Sequence, residues 1–114
     1  MATACSNPLC SNETIATVAS PDGSHRAVMF MRECGATTDF TTQVSVDAGV
    51  FQSVGNAFVA DAYNGGKRGP WGGPWATMKW AAPNQLLVSY DKQARIFTRN
   101  STVEGVTVTY QAAN

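Results

Sequence analysis

The stretch Met29-Phe30-Met31-Arg32-Glu33-Cys34-Gly35-Ala36-Thr37-Thr38-Asp39-Phe40-Thr41-Thr42-Gln43-Val44-Ser45-Val46 decides the fold. It reads as two extended segments that meet at a Cys-Gly corner. On the upstream side, His25 to Glu33 alternates, with Arg26, Val28, Phe30 and Arg32 on one face and Ala27, Met29 and Met31 on the other. On the downstream side, Asp39 to Val46 places Phe40, Thr42, Val44 and Val46 on one face and Thr41, Gln43 and Ser45 on the other. That is the pattern of a half-buried strand.

Working outward, Thr14 to Ala19 is a short strand. Ser20-Pro21-Asp22-Gly23 follows as a turn, because proline presets φ and Asp-Gly tolerates the left-handed geometry that comes next. A hairpin between Thr14–Ala19 and His25–Glu33 is therefore expected. Asp47 to Val54 lies between glycines at 49 and 55 and is too short to commit to a helix, whereas Asn56 to Ala62 reads as a strand. Tyr63 to Pro74 holds five glycines and two prolines in twelve residues, a density that no regular element survives. After it, strand patterns recur at Trp75–Trp80, Gln85–Tyr90, Ala94–Arg99 and Val106–Gln111. Turns fall at Ala82–Asn84, Asp91–Gln93 and Asn100–Gly105. Connections this short favour antiparallel neighbours. The sum is a mainly β chain with little or no helix: a single antiparallel β domain of about eight strands over residues 13–112, as a meander, sandwich or partly closed barrel, preceded by an irregular leader at 1–12.

At 114 residues the chain is one domain, and its eight basic residues balance eight acidic ones. A nucleic-acid surface would need an excess of Lys and Arg, so that class is set aside. No stretch approaches the roughly 18 apolar residues of a membrane-spanning helix. Charged residues make up only 14% of the chain, well below the usual share, so solubility rests on hydroxyls and amides. Ala2-Thr3-Ala4-Cys5 has the form of the end of a bacterial lipoprotein signal, with small residues leading to a cysteine that would carry the lipid. The plain alternative is an ordinary cytoplasmic N-terminus with a chance cysteine.

Ser20-Pro21-Asp22-Gly23, Cys34-Gly35-Ala36-Thr37-Thr38, Thr42-Gln43-Val44-Ser45 and Gly69-Pro70-Trp71-Gly72-Gly73-Pro74 together resemble a family of small uncharacterised bacterial proteins. Some members of that family carry lipoprotein signals and others occur on mobile gene cassettes. The resemblance runs from about Cys10 to Tyr110. It implies an envelope context and assigns no particular activity.

Three cysteines cannot all pair within one chain. The economical assignment gives Cys5 to a lipid and joins Cys10 to Cys34, provided the protein leaves the reducing cytoplasm; otherwise buried free thiols are the expectation. Cys5, Cys10, His25 and Cys34 supply zinc-ligand types, but without the close Cys-x-x-Cys pair of a zinc knuckle, so no metal and no cofactor are assigned. His25, the only histidine, lies nine positions from Cys34. An odd spacing along one strand sends the two side chains to opposite faces, about 30 Å apart, which argues against a Cys-His dyad. In the glycine-rich loop, Gly65-Gly66-Lys67-Arg68-Gly69 lacks the ending of a phosphate cradle. Tyr63, Lys67, Arg68, Trp71 and Trp75 instead bring cations and aromatic faces together as a candidate ligand-binding loop. The structural alternative is that the tryptophans fold back over the open end of the sheet.

The resulting expectation is a non-catalytic binding or interaction module of the bacterial envelope, or secreted, that contacts an unknown protein or small ligand. It would touch a membrane only through a lipid anchor at Cys5. Two other classes stay open: an enzyme using His25 or Cys34, and a structural homodimer built on edge strands.

Overall fold

The computed structural model describes residues 10–35, 39–48 and 54–113. Among them nine strands form, and no helix. In chain order they are β1 (Ser11–Ala19), β2 (Arg26–Glu33), β3 (Thr41–Val46), β4 (Phe58–Asp61), β5 (Ala76–Ala82), β6 (Gln85–Asp91), β7 (Arg95–Arg99), β8 (Thr102–Val103) and β9 (Val106–Ala113). They build two sheets, one ordered β1-β2-β3-β4-β7 and the other β5-β6-β9-β8.

The expected hairpin of β1 and β2 forms, and its turn is held by side chains that the sequence supplies. Gly23 N–H donates to the Ser20 carbonyl at 2.9 Å, and Gly23 sits at φ 77, where a glycine is favoured. The Asp22 carboxylate accepts from the Ser24 hydroxyl at 2.7 Å and from the Ser20 hydroxyl at 3.0 Å. Those bonds, Ser24's first, hold its pKa below the ordinary aspartate value. At the other end, Ser11 pairs with Glu33, and the next residues outward, Cys10 and Cys34, are joined by a disulfide across a separation of 24 residues. The hairpin is thus closed by a turn at one end and a covalent bond at the other. By loop-entropy reasoning the bond contributes about 3 kcal/mol.

The inner faces of the two sheets share one core. Ala27, Met29, Val44, Val46, Phe58 and Ala60 come from the first sheet, and Leu86, Val88, Tyr90, Val106 and Val108 from the second. This is the packing of a sandwich. Phe58 is its centre: the Tyr90 ring lies 5.5 Å and the Tyr110 ring 5.9 Å from it. The Tyr110 hydroxyl is 2.8 Å from the carbonyl oxygens of both Ala57 and Asn100, and burial pushes its pKa well above the ordinary value.

Three features differ from the sequence expectation. First, β6 and β9 pair in parallel, although every other strand pair is antiparallel. Short connections enforce antiparallel neighbours only when both strands stay in one sheet. Here Lys92–Ala94 crosses to the first sheet, where β7 pairs with β4, and the chain then returns to place β9 beside β6. Second, the Asn100–Gly105 turn contains β8, a two-residue strand paired with β9.

Third, β3 is covered on both faces, not one: Gln43 is 3% and Ser45 1% exposed. Their polar groups are satisfied by the segment that precedes β4. Gly55 N–H donates to Gln43 Oε1 at 2.7 Å, and Gln43 Nε2 donates to Thr41 Oγ1 at 2.8 Å. Asn56 continues the ladder with its side chain, accepting from Val46 N–H at 2.8 Å and donating to the Val46 carbonyl at 3.0 Å. Of the ambiguous stretch Asp47–Val54, residues 49–53 lie outside the described residues, as do Cys5 and most of the expected leader.

Candidate functional site

The face of the first sheet that points away from the core carries an open groove of ≈ 740 Å³. Strand alternation decides what lines it. Val44 and Val46 of β3 and Phe58 and Ala60 of β4 face the core, so Thr41, Gln43, Val59 and Asp61 face outward. Arg32 of β2 and Arg95 and Phe97 of β7 complete the strand contribution, and Val54, Tyr63, Asp39 and the disulfide residue Cys34 border it from loops.

A β-bulge interrupts β7 at Phe97. Asp61 pairs with Arg95 and Ala60 with Ile96, but Val59 pairs with Thr98, so Phe97 is the extra residue. Arg95 and Phe97 then line the groove, while Ile96 packs on the core and Arg99 donates to the Tyr90 hydroxyl at 2.7 Å.

The groove's electrostatics centre on Arg95 and Asp61. Arg95 Nε donates to Asp61 Oδ1 at 3.1 Å and Nη2 to Oδ2 at 2.7 Å. Asp61 is 4% exposed, and its Oδ1 also accepts the Tyr63 N–H at 3.1 Å. The hydrogen bonds that Arg95 donates to Asp61 raise the Arg95 pKa, so the guanidinium stays charged. Its carbon lies 4.3 Å from the Tyr63 ring centroid and 5.0 Å from that of Phe97. At one end of the groove, Arg32 Nη1 donates to Asn12 Oδ1 at 2.8 Å.

The five residues of the candidate binding loop are divided by the structure. Tyr63 is 69% exposed and borders the groove. Trp71 is partly buried against the core, and its Nε1–H donates to Thr42 Oγ1 at 2.8 Å, which in turn donates to the Pro74 carbonyl at 2.7 Å. Lys67 Nζ rests 5.1 Å from the Trp75 ring centroid. Arg68 donates to the Gly72 carbonyl at 2.6 Å and meets Asp39 at 3.5 Å. The loop is also laced by its own backbone, with Gly69 N–H on the Gly73 carbonyl and Trp75 N–H on the Lys67 carbonyl. Lys67, Arg68, Trp71 and Trp75 therefore hold the loop together, and none of them lines the groove.

His25 and Cys34 lie at opposite ends of β2, and Cys34 is bonded to Cys10. His25 borders a smaller concavity of ≈ 480 Å³ at the turn end of the hairpin. Its Nδ1 is 2.6 Å from Asp47 Oδ2, and Asp47 Oδ1 accepts the Arg26 N–H at 2.8 Å. The His25 bond, with the backbone bond from Arg26, holds the Asp47 pKa below its ordinary value against the opposing effect of burial. The Trp80 ring stacks 6.3 Å from His25. Among the described residues, no group of three or more His, Cys, Asp or Glu side chains gathers as a metal cluster. Nor do the described residues contain a helix long and apolar enough to cross a membrane.

Comparison with protein-family models, with curated proteins and with solved structures gave no match. The class that the fold itself defines is a small, disulfide-bonded, mainly β domain of two sheets.

Sequence reasoning passed over Val54, Asp61, Arg95 and Phe97. A signal was present: Arg95-Ile96-Phe97-Thr98-Arg99 sets an aromatic ring beside an arginine on the face opposite the apolar Ile96. An aromatic on the polar face of an edge strand is a contact candidate.

Proposed function

We propose that the chain is a small non-catalytic binding module that works in an oxidising compartment, the bacterial envelope or the extracellular space, and takes its ligand in the groove of the first sheet. One observation carries this reading. Among the described residues, the exposed large apolar side chains are Val54 at 58%, Tyr63 at 69% and Phe97 at 56%, and all three border the same groove. Single exposed apolar residues need no explanation, but three that converge on one concavity do. The groove's volume lies within the range of small-molecule sites, roughly 300–1,000 Å³.

Two placements support a non-catalytic role. The Cys34 sulfur is spent in a disulfide, and His25 stands at the far end of β2 from the groove. The disulfide also suits the proposed compartment. The test compares wild type with Tyr63→Ser/Phe97→Ser for compounds retained from a small-molecule extract, read by mass spectrometry after washing. Compounds held by wild type and lost by the variant support the groove. Equal retention by both contradicts it.

A further inference from the structure

The groove offers a ligand an asymmetric set of polar groups. Its acids are already engaged: Asp61 accepts from Arg95 twice and from Tyr63 N–H, and Asp39 meets Arg68. Its amide is engaged as well, since Gln43 bonds Gly55 and Thr41. Arg95 differs. It commits Nε and one N–H of Nη2 to Asp61, while the N–H groups of Nη1 and the other N–H of Nη2 have no acceptor among the described residues. Its side chain is 42% exposed. Arg95 therefore presents open donors at the mouth of the groove. The open Nη1/Nη2 edge of a guanidinium matches the two oxygens of a carboxylate. Beside that edge stand the exposed rings of Tyr63 and Phe97.

Resting on the groove reading above, we infer that the ligand is a small carboxylic acid with an apolar, ring-sized body. The carboxylate pairs with the outer edge of Arg95, and the body lies on Tyr63, Phe97 and Val54. Asp61 is a positioning residue: its two bonds fix the guanidinium so that the same edge always faces outward.

The test titrates ¹⁵N-labelled protein with phenylacetate and, separately, with phenylacetamide, which keeps the ring and planar head but not the charge. The expected result is that phenylacetate shifts the amides of Asp61, Tyr63, Arg95 and Phe97, with phenylacetamide weaker by about tenfold or more. Phe97→Ser, at an exposed position that the fold does not require, weakens phenylacetate severalfold. Arg95→Lys, which keeps the charge but not the paired donors, lowers the preference for the acid without abolishing it. Equal binding of the two compounds overturns the carboxylate inference and leaves the groove reading standing. If neither compound moves these amides, both are overturned.

Discussion

Arg95 holds Asp61 edge-on, through contacts of 3.1 and 2.7 Å, while its guanidinium lies against the rings of Tyr63 and Phe97. Asp61 is the buried member of the pair and Arg95 the half-exposed one. Removing the acid therefore does more than cut an ion pair: it leaves the Tyr63 N–H and the Arg95 donors without their acceptor. Asp61→Ala is expected to cost about 2 kcal/mol, as for a buried acceptor that serves several donors. Urea denaturation at neutral pH measures it, and a loss within error of zero would show that solvent replaces those bonds.

The structural and contact roles of the aromatic residues separate by stability. Trp71 packs on the core and anchors the glycine-rich loop through Thr42, so Trp71→Ala is expected to cost about 3 kcal/mol. Tyr63 is exposed, and Tyr63→Ser is expected to change stability by about 0.5 kcal/mol or less. Thermal or urea unfolding of the two variants gives the contrast. Similar costs would mean that Tyr63 belongs to the fold and not to a contact surface.

Glycine at 72 is required twice over. It sits at φ 94, and a Cβ there would run into the Phe40 ring. Gly72→Ala is therefore expected to destabilise by about 1–3 kcal/mol. Gly105 makes the control, with a positive φ of 80 and open space around it, so Gly105→Ala carries the backbone strain alone.

Opposite ends of the pH scale should report two different groups. Asp47 has its pKa depressed below the ordinary 3.8 by the His25 bond first. Its contribution to stability is therefore present above about pH 4 and is lost as pH falls through the folded-state value; Asp47→Asn should flatten that acid limb. Tyr110 has its pKa raised above the ordinary 10.0 by burial, so its contribution is complete below that value and is lost as pH rises beyond it. Tyr110→Phe should remove part of the alkaline loss and cost about 1 kcal/mol at neutral pH. Stability measured from acid to alkaline pH on the two variants checks both signs.

Local chemistry was legible in the sequence. The Ser20–Gly23 turn, the alternation of β2 and the pairing of Cys10 with Cys34 follow from residues near in sequence or few in number. The destination of β7 was not legible. Ala94–Arg99 reads equally well as a neighbour of β6 or as a strand of the other sheet, and only packing against β4 chooses. The double coverage of β3 was hidden for a related reason: Gln43 and Ser45 look solvent-facing until Gly55 and Asn56 fold back to bond them. The groove was the least legible feature. Its residues run from Arg32 to Phe97 and come together only when β2, β3, β4 and β7 pair. Composition pointed to the glycine-rich loop, where Lys67 rests on Trp75, Arg68 bonds the Gly72 carbonyl and Trp71 bonds Thr42, with Tyr63 alone reaching the groove.

The most direct test of the groove as the contact surface is chemical-shift mapping of the ¹⁵N-labelled protein against a chemically mixed set of small aromatic, aliphatic, acidic and neutral fragments. The predicted result is that responding amides concentrate at Val54, Asp61 to Tyr63 and Arg95 to Phe97. Responses scattered over both sheets, or concentrated around His25 and Asp47, would contradict it.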